Sequence, residues 1–142
     1  MIVVDASVAV KWFVPEPGEE AAQQLLKGAE PLVAPGLIRL EVGSAVLRCF
    51  RDGRIKEDKA HTAIEDWEKL LADGIMQRVD DNELFKKAVD LSFACRHKLA
   101  DCFYLAVATM FNAQLITADR PLIERGKAIY PNITLLVGSN PN

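Results

Sequence analysis

Long apolar runs are missing from this sequence. No stretch approaches the ~18 uninterrupted apolar residues of a membrane span, which argues against an integral membrane protein. Residues 1–14 are apolar enough to suggest a secretory signal, but Asp5 and Lys11 interrupt them and no basic segment comes before. Cysteine is scarce and odd in number. Cys49, Cys95 and Cys102 all sit in apolar, helix-like contexts, so they read as reduced, buried thiols of a cytoplasmic protein rather than as a disulfide framework. The histidines, His61 and His97, are isolated, and neither stands at zinc-finger spacing from a cysteine, which argues against structural zinc. An excess of positive charge is also absent. A net charge of −3 argues against a protein that coats nucleic acid by bulk attraction. A nuclease stays possible, because cations held by carboxylates supply positive charge locally.

What is present is a globular composition, 50% hydrophobic and 26% charged, in a chain long enough to bury one core. A single domain over residues 1–137 is expected, with 138–142 a loose tail. There is no internal repeat. Residues 2–4 read as a strand, with a helical stretch over 6–13 and a turn at Pro15-Glu16-Pro17-Gly18. A helix over 19–27 precedes a short strand over 32–34. Helical spacing then covers 37–52 and 56–73, stopped by Gly53 and Gly74. A third strand follows over 75–79. Asp80-Asp81-Asn82-Glu83 resembles a capping box opening a helix that carries Leu84, Ala88, Leu91 and Cys95. Asp101 precedes a very apolar helix over 102–111. Strands over 115–117 and 133–137 flank a short helix opened by Asp119-Arg120-Pro121. Apolar strands alternating with helices predict an α/β fold, with a short, mostly parallel central sheet and helices on both faces.

Four carboxylates break their local patterns. Asp5 ends the first strand, where ligands of α/β proteins meet the sheet. Glu41 falls in azimuth between Ile38 and Ala45, beside the buried stripe of its helix, where an unpartnered charge is costly. Asp101 and Asp119 open helices. Each also has an ordinary explanation: a helix cap for Asp5, Asp101 and Asp119, and an ion pair with an arginine for Glu41. Their convergence on one rim of the sheet is what points to a site. Like charges ~4 Å apart repel by ~4 kcal/mol at an effective dielectric of ~20, and Mg²⁺ or Mn²⁺ would relieve that cost. Ser7 and Thr117 add hydroxyls to the same rim, and sites of this kind hydrolyse phosphodiesters.

Val3-Val4-Asp5-Ala6-Ser7, Leu40-Glu41-Val42 with Ala45, Leu99-Ala100-Asp101 running on to Ala108, and Leu115-Ile116-Thr117-Ala118-Asp119-Arg120-Pro121-Leu122 together resemble the PIN-domain proteins. More narrowly, they resemble the VapC-type toxin ribonucleases of type II toxin–antitoxin systems. The resemblance spans essentially the whole chain and implies a PIN-like fold. Asp5, Glu41 and Asp101 match the family's core acids, Asp119 its fourth and more variable acid, and Ser7 and Thr117 its supporting polar positions. Implied with these are a Mg²⁺- or Mn²⁺-dependent endoribonuclease, a homodimer, and inhibition by a cognate VapB-type antitoxin. Cys102 departs from the alanine common at its position, which raises sensitivity to oxidation or soft metals. With all four acids matched, Asp5 reads as the central ligand, and Ser7 becomes the better candidate for capping the first helix.

Grip on an RNA substrate is expected from local basic residues: Lys11, the Arg48, Arg51 and Arg54 series, and the Arg96-His97-Lys98 group. Trp12, Phe13 and Trp67 read as core or dimer-interface residues, since no basic residues interleave with them as single-strand readers require. The rival readings are a catalytically silent PIN-like module that only binds RNA or protein, and a phosphoaspartyl enzyme. The second is disfavoured, because the position two residues after Asp5 is Ser7.

Overall fold

Five parallel strands, in the order β3-β2-β1-β4-β5, make the central sheet of the computed structural model, which describes residues 1–139. The strands are β1 (Ile2–Val4), β2 (Leu32–Pro35), β3 (Met76–Val79), β4 (Gln114–Thr117) and β5 (Ile133–Leu135). Between them run α1 (Ala6–Ala9), α2 (Glu19–Lys27), α3 (Ile38–Arg51), α4 (Glu57–Ala72), α5 (Asp81–Cys95), α6 (Leu99–Phe111) and α7 (Arg120–Gly126).

The inner strands are apolar on both faces because helices cover both. Val3, Val4, Val33, Ala34 and Leu115 are fully buried. The edge strand β3 is less enclosed, with Met76 and Val79 buried at its ends and Gln77 and Arg78 exposed between them. Right-handed crossovers place α1–α4 on one face and α5–α7 on the other. The packing agrees: α3 touches α1 and α4, α5 lies on α6, and Gly126 of α7 sits against Leu105 of α6.

The chain grows the sheet first toward β3 and then, after α6, toward β5. β1 and β4 therefore flank the point where the winding reverses, and in such sheets the crevice beyond the strand ends at that point takes the ligand.

Three element boundaries differ from the sequence expectation. The first helix lasts one turn and tightens into a 3₁₀ turn over Val10–Trp12. The apolar helix starts at Leu99, so Asp101 lies inside its first turn. The last strand ends at Leu135, after which the chain turns through Gly138 at φ +81° and leaves Val137 exposed. Of the 138–142 segment, Gly138 packs against Gly18 and Ser139 donates its amide to the Leu136 carbonyl; residues 140–142 lie outside the described residues. Trp12 and Trp67 are core residues whose indole N–H groups donate to the carbonyls of Ala22 and Arg39. No helix among the described residues is long and apolar enough to cross a membrane.

Candidate active site

Where β1 ends, the backbone of Asp5 starts α1, with its carbonyl accepting from the amides of Val8 and Ala9. Its carboxylate makes no capping bond. Oδ2 accepts instead from the hydroxyls of Thr117, at 2.9 Å, and of Ser7. Those hydroxyls are themselves held by backbone: Asp119 N–H donates to Thr117 Oγ1 and Ala118 N–H to Ser7 Oγ, each at 3.0 Å. Two amide–hydroxyl–carboxylate chains thus lace the end of β4 to the end of β1. Ser7 does not cap α1 as expected; it lies within the helix and its hydroxyl belongs to this lacing.

Glu41 comes from the first turn of α3, whose leading amide at Leu37 donates to Asp81 Oδ1 at 3.1 Å. The expected arginine partner is replaced by a hydroxyl: Tyr104 OH donates to Glu41 Oε1 at 2.7 Å. Asp101, buried in the first turn of α6, holds the imidazole of His97 at 2.6 Å from its Oδ2, with Lys98 Nζ at 3.8 Å. Lys98 occupies the cap position that sequence reasoning gave to Asp101. Asp119 does stand at the N-cap of α7, with the Leu122 amide toward its carboxylate but outside the geometry of a full capping hydrogen bond; that amide nonetheless eases its charge slightly.

All four acids line one cleft of about 340 Å³, together with Ser7, Arg48 and Lys98. Burial pushes the Asp5 carboxyl up to about 7; the charges of Asp101 and Glu41 add to the rise, and the Ser7 and Thr117 hydroxyls partly offset it. Glu41 is raised by burial and by Asp101, against the lowering effects of Tyr104 and Lys98. Asp119 is raised by burial and by Asp101, against His97 and Lys98. A carboxylate cluster that resists ionisation in this way is one that a divalent cation would relieve. The donor set fits such a cation: carboxylate oxygens with neutral hydroxyls behind them.

Two residues that hold the acids of the cleft escape the sequence reading. Tyr104 is the one hydroxyl on the buried face of α6, three residues after Asp101, and there it reads as ordinary core. His97 reads in the sequence as an isolated histidine within a basic group; its imidazole is only 6% exposed and engages Asp101. The four-residue separation from Asp101 was the available signal.

Of the basic candidates, Arg48 and Lys98 reach the cleft. Lys11 does not line it: its ammonium is buried 3.2 Å from Glu16, which also holds Arg54 at 3.2 Å. Arg51 is exposed outside the cleft lining. Arg96 closes α5 in a left-handed conformation, and its carbonyl accepts from Arg125 Nη1 at 2.6 Å. The Cys102 thiol is fully buried 3.8 Å from Cys95 Sγ and is pushed up to about 12, chiefly by burial. It is an inert thiol turned toward α5, contrary to the expected oxidation sensitivity.

The sequence profile of the PIN domain matches residues 2–128. The ribonuclease VapC3 of Pyrobaculum aerophilum is 30% identical over 129 residues, covering 90% of this chain and 96% of that protein. The ribonuclease VapC9 of Mycobacterium tuberculosis is 29% identical over 136 residues, covering 92% and 95%. A chain in the solved toxin–antitoxin complex from Klebsiella pneumoniae is 17% identical, with a TM-score of 0.61, covering 94% of this chain and 96% of that one; at that identity the likeness speaks for the fold.

Proposed function

The chain belongs to the PIN-domain family, and from that premise we propose that it is a divalent-metal-dependent endoribonuclease, the toxin of a toxin–antitoxin pair. The observation that carries the reading is Asp5: a buried carboxylate at the winding reversal of the sheet, with three further acids lining the same cleft. Relatives named as ribonucleases over nine-tenths of the chain support RNA as the substrate.

Asp5, Glu41, Asp101 and Asp119 would hold the cation, Mg²⁺ or Mn²⁺. When bound, it supplies a lowered pKa for the attacking water and neutralises charge at the scissile phosphate. The remaining work falls to the chain. Ser7 and Thr117 hold Asp5 by one oxygen, Oδ2, and no protein donor takes Oδ1 among the described residues. Tyr104 orients Glu41, and the His97 imidazole lies against Asp101. Arg48 and Lys98 supply the positive charge that draws an RNA phosphate to an otherwise acidic mouth. Recruitment is thereby local, which reconciles a polyanionic substrate with a net charge of −3.

Asp5→Asn nearly preserves shape, so the variant should fold and lose metal-dependent cleavage of RNA by ~10²–10³-fold, the scale at which removing a key electrostatic group acts. Folded Asp5→Asn protein that still cuts RNA in Mg²⁺ or Mn²⁺ overturns the assignment. A cognate VapB-type antitoxin and a homodimer complete the proposal, on kinship with the VapC ribonucleases. Co-expression with the product of the adjacent small reading frame should suppress RNA cleavage and co-purify with the chain, and light scattering on the free protein should give twice the chain mass. A monomer mass, or unaltered cleavage in the presence of that product, removes the corresponding partner.

A further inference from the structure

We propose that His97 is a nitrogen ligand of the cation, and that it gives this cleft a preference for Mn²⁺ or a later first-row ion over Mg²⁺. The inference rests on reading the cleft as a divalent-cation site and concerns which cation it selects. Its basis is a juxtaposition: one donor atom each from His97, Asp101 and Asp119 lies within 4.8 Å of the other two. That is the span of three ligands around a single ion, and one of the three is an imidazole. Asp101 and Asp119 also line the four-acid cleft; His97 is not itself in that lining and meets the site through these two acids, adding a nitrogen at its edge.

The backbone around His97 is built to hold it there. Arg96, at φ +54°, breaks α5 in the left-handed region, and its carbonyl is tied to Arg125 at the end of α7. The His97 carbonyl accepts from Ser92 Oγ at 2.5 Å and lies 3.9 Å from the Cys102 thiol. A three-residue connection, 96–98, is therefore anchored to α5, α6 and α7, and it delivers a side chain only 6% exposed to the acids. A histidine serving merely as a basic surface contact would need neither the anchoring nor the burial.

Donor chemistry then decides the ion. Mg²⁺ takes hard oxygen donors and sheds water reluctantly, so an imidazole adds little to its binding. First-row transition ions accept imidazole nitrogen readily, with affinity rising from Mn²⁺ toward Cu²⁺. Coordination uses the Nε2 lone pair, with the ring proton on Nδ1. The same Nε2 lies 2.6 Å from Asp101 Oδ2, a hydrogen bond that His97 gives up when its lone pair turns to the ion, with the ring already beside the site.

The test uses the full chain and the metals alone. Mn²⁺ and Mg²⁺ are titrated calorimetrically into wild-type protein, His97→Gln and His61→Gln, and the bound Mn²⁺ is examined by electron spin echo envelope modulation. Wild type should bind Mn²⁺ at least ~10-fold more tightly than Mg²⁺ and show a directly coordinated nitrogen. His97→Gln should lose that coupling and weaken Mn²⁺ binding by ~10-fold or more, with Mg²⁺ little changed. His61→Gln should change nothing, since His61 is exposed on α4. Because these are the two histidines of the chain, nitrogen coupling in His61→Gln identifies His97 even if His97→Gln fails to fold. Mn²⁺ bound without nitrogen coupling, coupling that survives in His97→Gln, or equal losses for both ions overturns the inference and leaves His97 as a positioning residue for Asp101. Failure of folded wild-type protein to bind either ion overturns the divalent-cation reading itself.

Discussion

At the scale of single residues, Asp5 makes stability depend on pH. Its folded pKa of about 7 stands above the value near 3.8 of an exposed aspartate, so the cation-free folded state binds more protons than the unfolded one between those limits. Stability must therefore fall as pH rises through that window, with the full cost present above about pH 7. A shift of this size corresponds to a few kcal/mol, on the order of 1.4 per unit. Asp5→Asn carries no charge, so in the presence of a chelator it should exceed wild type in urea-unfolding free energy by ~1–4 kcal/mol at pH 8 and show no such gain at pH 4. Equal differences at the two pH values would mean that Asp5 ionises freely in the fold. The four acids were legible in the sequence because each interrupts a strand end, a helix start or an apolar stripe. Tyr104 was not, because its hydroxyl rides on a side chain that suits the core and meets Glu41 across 63 positions of sequence, a separation no spacing rule covers.

At the scale of elements, α3 is held from outside itself. Asp81, at the start of α5, accepts from the Leu37 amide, and Gly36 is bare of a side chain where a Cβ would stand 3.3 Å from Asp81 Oδ2. The contact satisfies one of the orphan amides at the start of the helix that carries Glu41. Asp81→Ala should lower stability by ~1 kcal/mol, the usual worth of a capping acceptor, read as a shift in the urea midpoint. Divalent-cation affinity should stay within ~3-fold, since the acids proposed to hold the cation are intact and Glu41 loses a repelling neighbour. A drop in affinity far beyond that would show that α3 shifts when released. Turn chemistry announced the ends of α3 and α4 through Gly53 and Gly74, both at positive φ. It also announced α5, where the Asp80 side chain accepts from the Asn82 amide. The start of α6 is obscured in the sequence because Leu99 and Ala100 are apolar and Asp101 is so good a cap residue that local preference places the helix after it.

At the scale of the whole molecule, the alternation of strands and helices predicts a parallel sheet, but not that β1 lies between β2 and β4. Strand order is decided by crossovers on opposite faces, and those depend on packing between residues far apart in the chain. The same arrangement limits how RNA can be gripped. Lys98 and Arg48 are the basic side chains lining the cleft, and Lys11 is spent on Glu16. With about two phosphates neutralised, log affinity for single-stranded RNA should fall with log salt at a slope of roughly −1.4, using ~0.7 per contact. Anisotropy titrations of labelled RNA with the non-cleaving Asp5→Asn protein measure it. A slope of −4 or steeper would mean that Arg51, Arg96 or other outlying cations join the interface. The lacing of Ser7 to Thr117, across 110 residues, has one more consequence, and it concerns time. A ribosome delivers Asp5 well before Asp119, with β4 and α7 required to bring them together. A nascent or prematurely released chain that lacks β4 and α7 therefore holds its hydroxyls and acids apart, and the cell that makes this protein is exposed to a complete cleft only after both elements have been made.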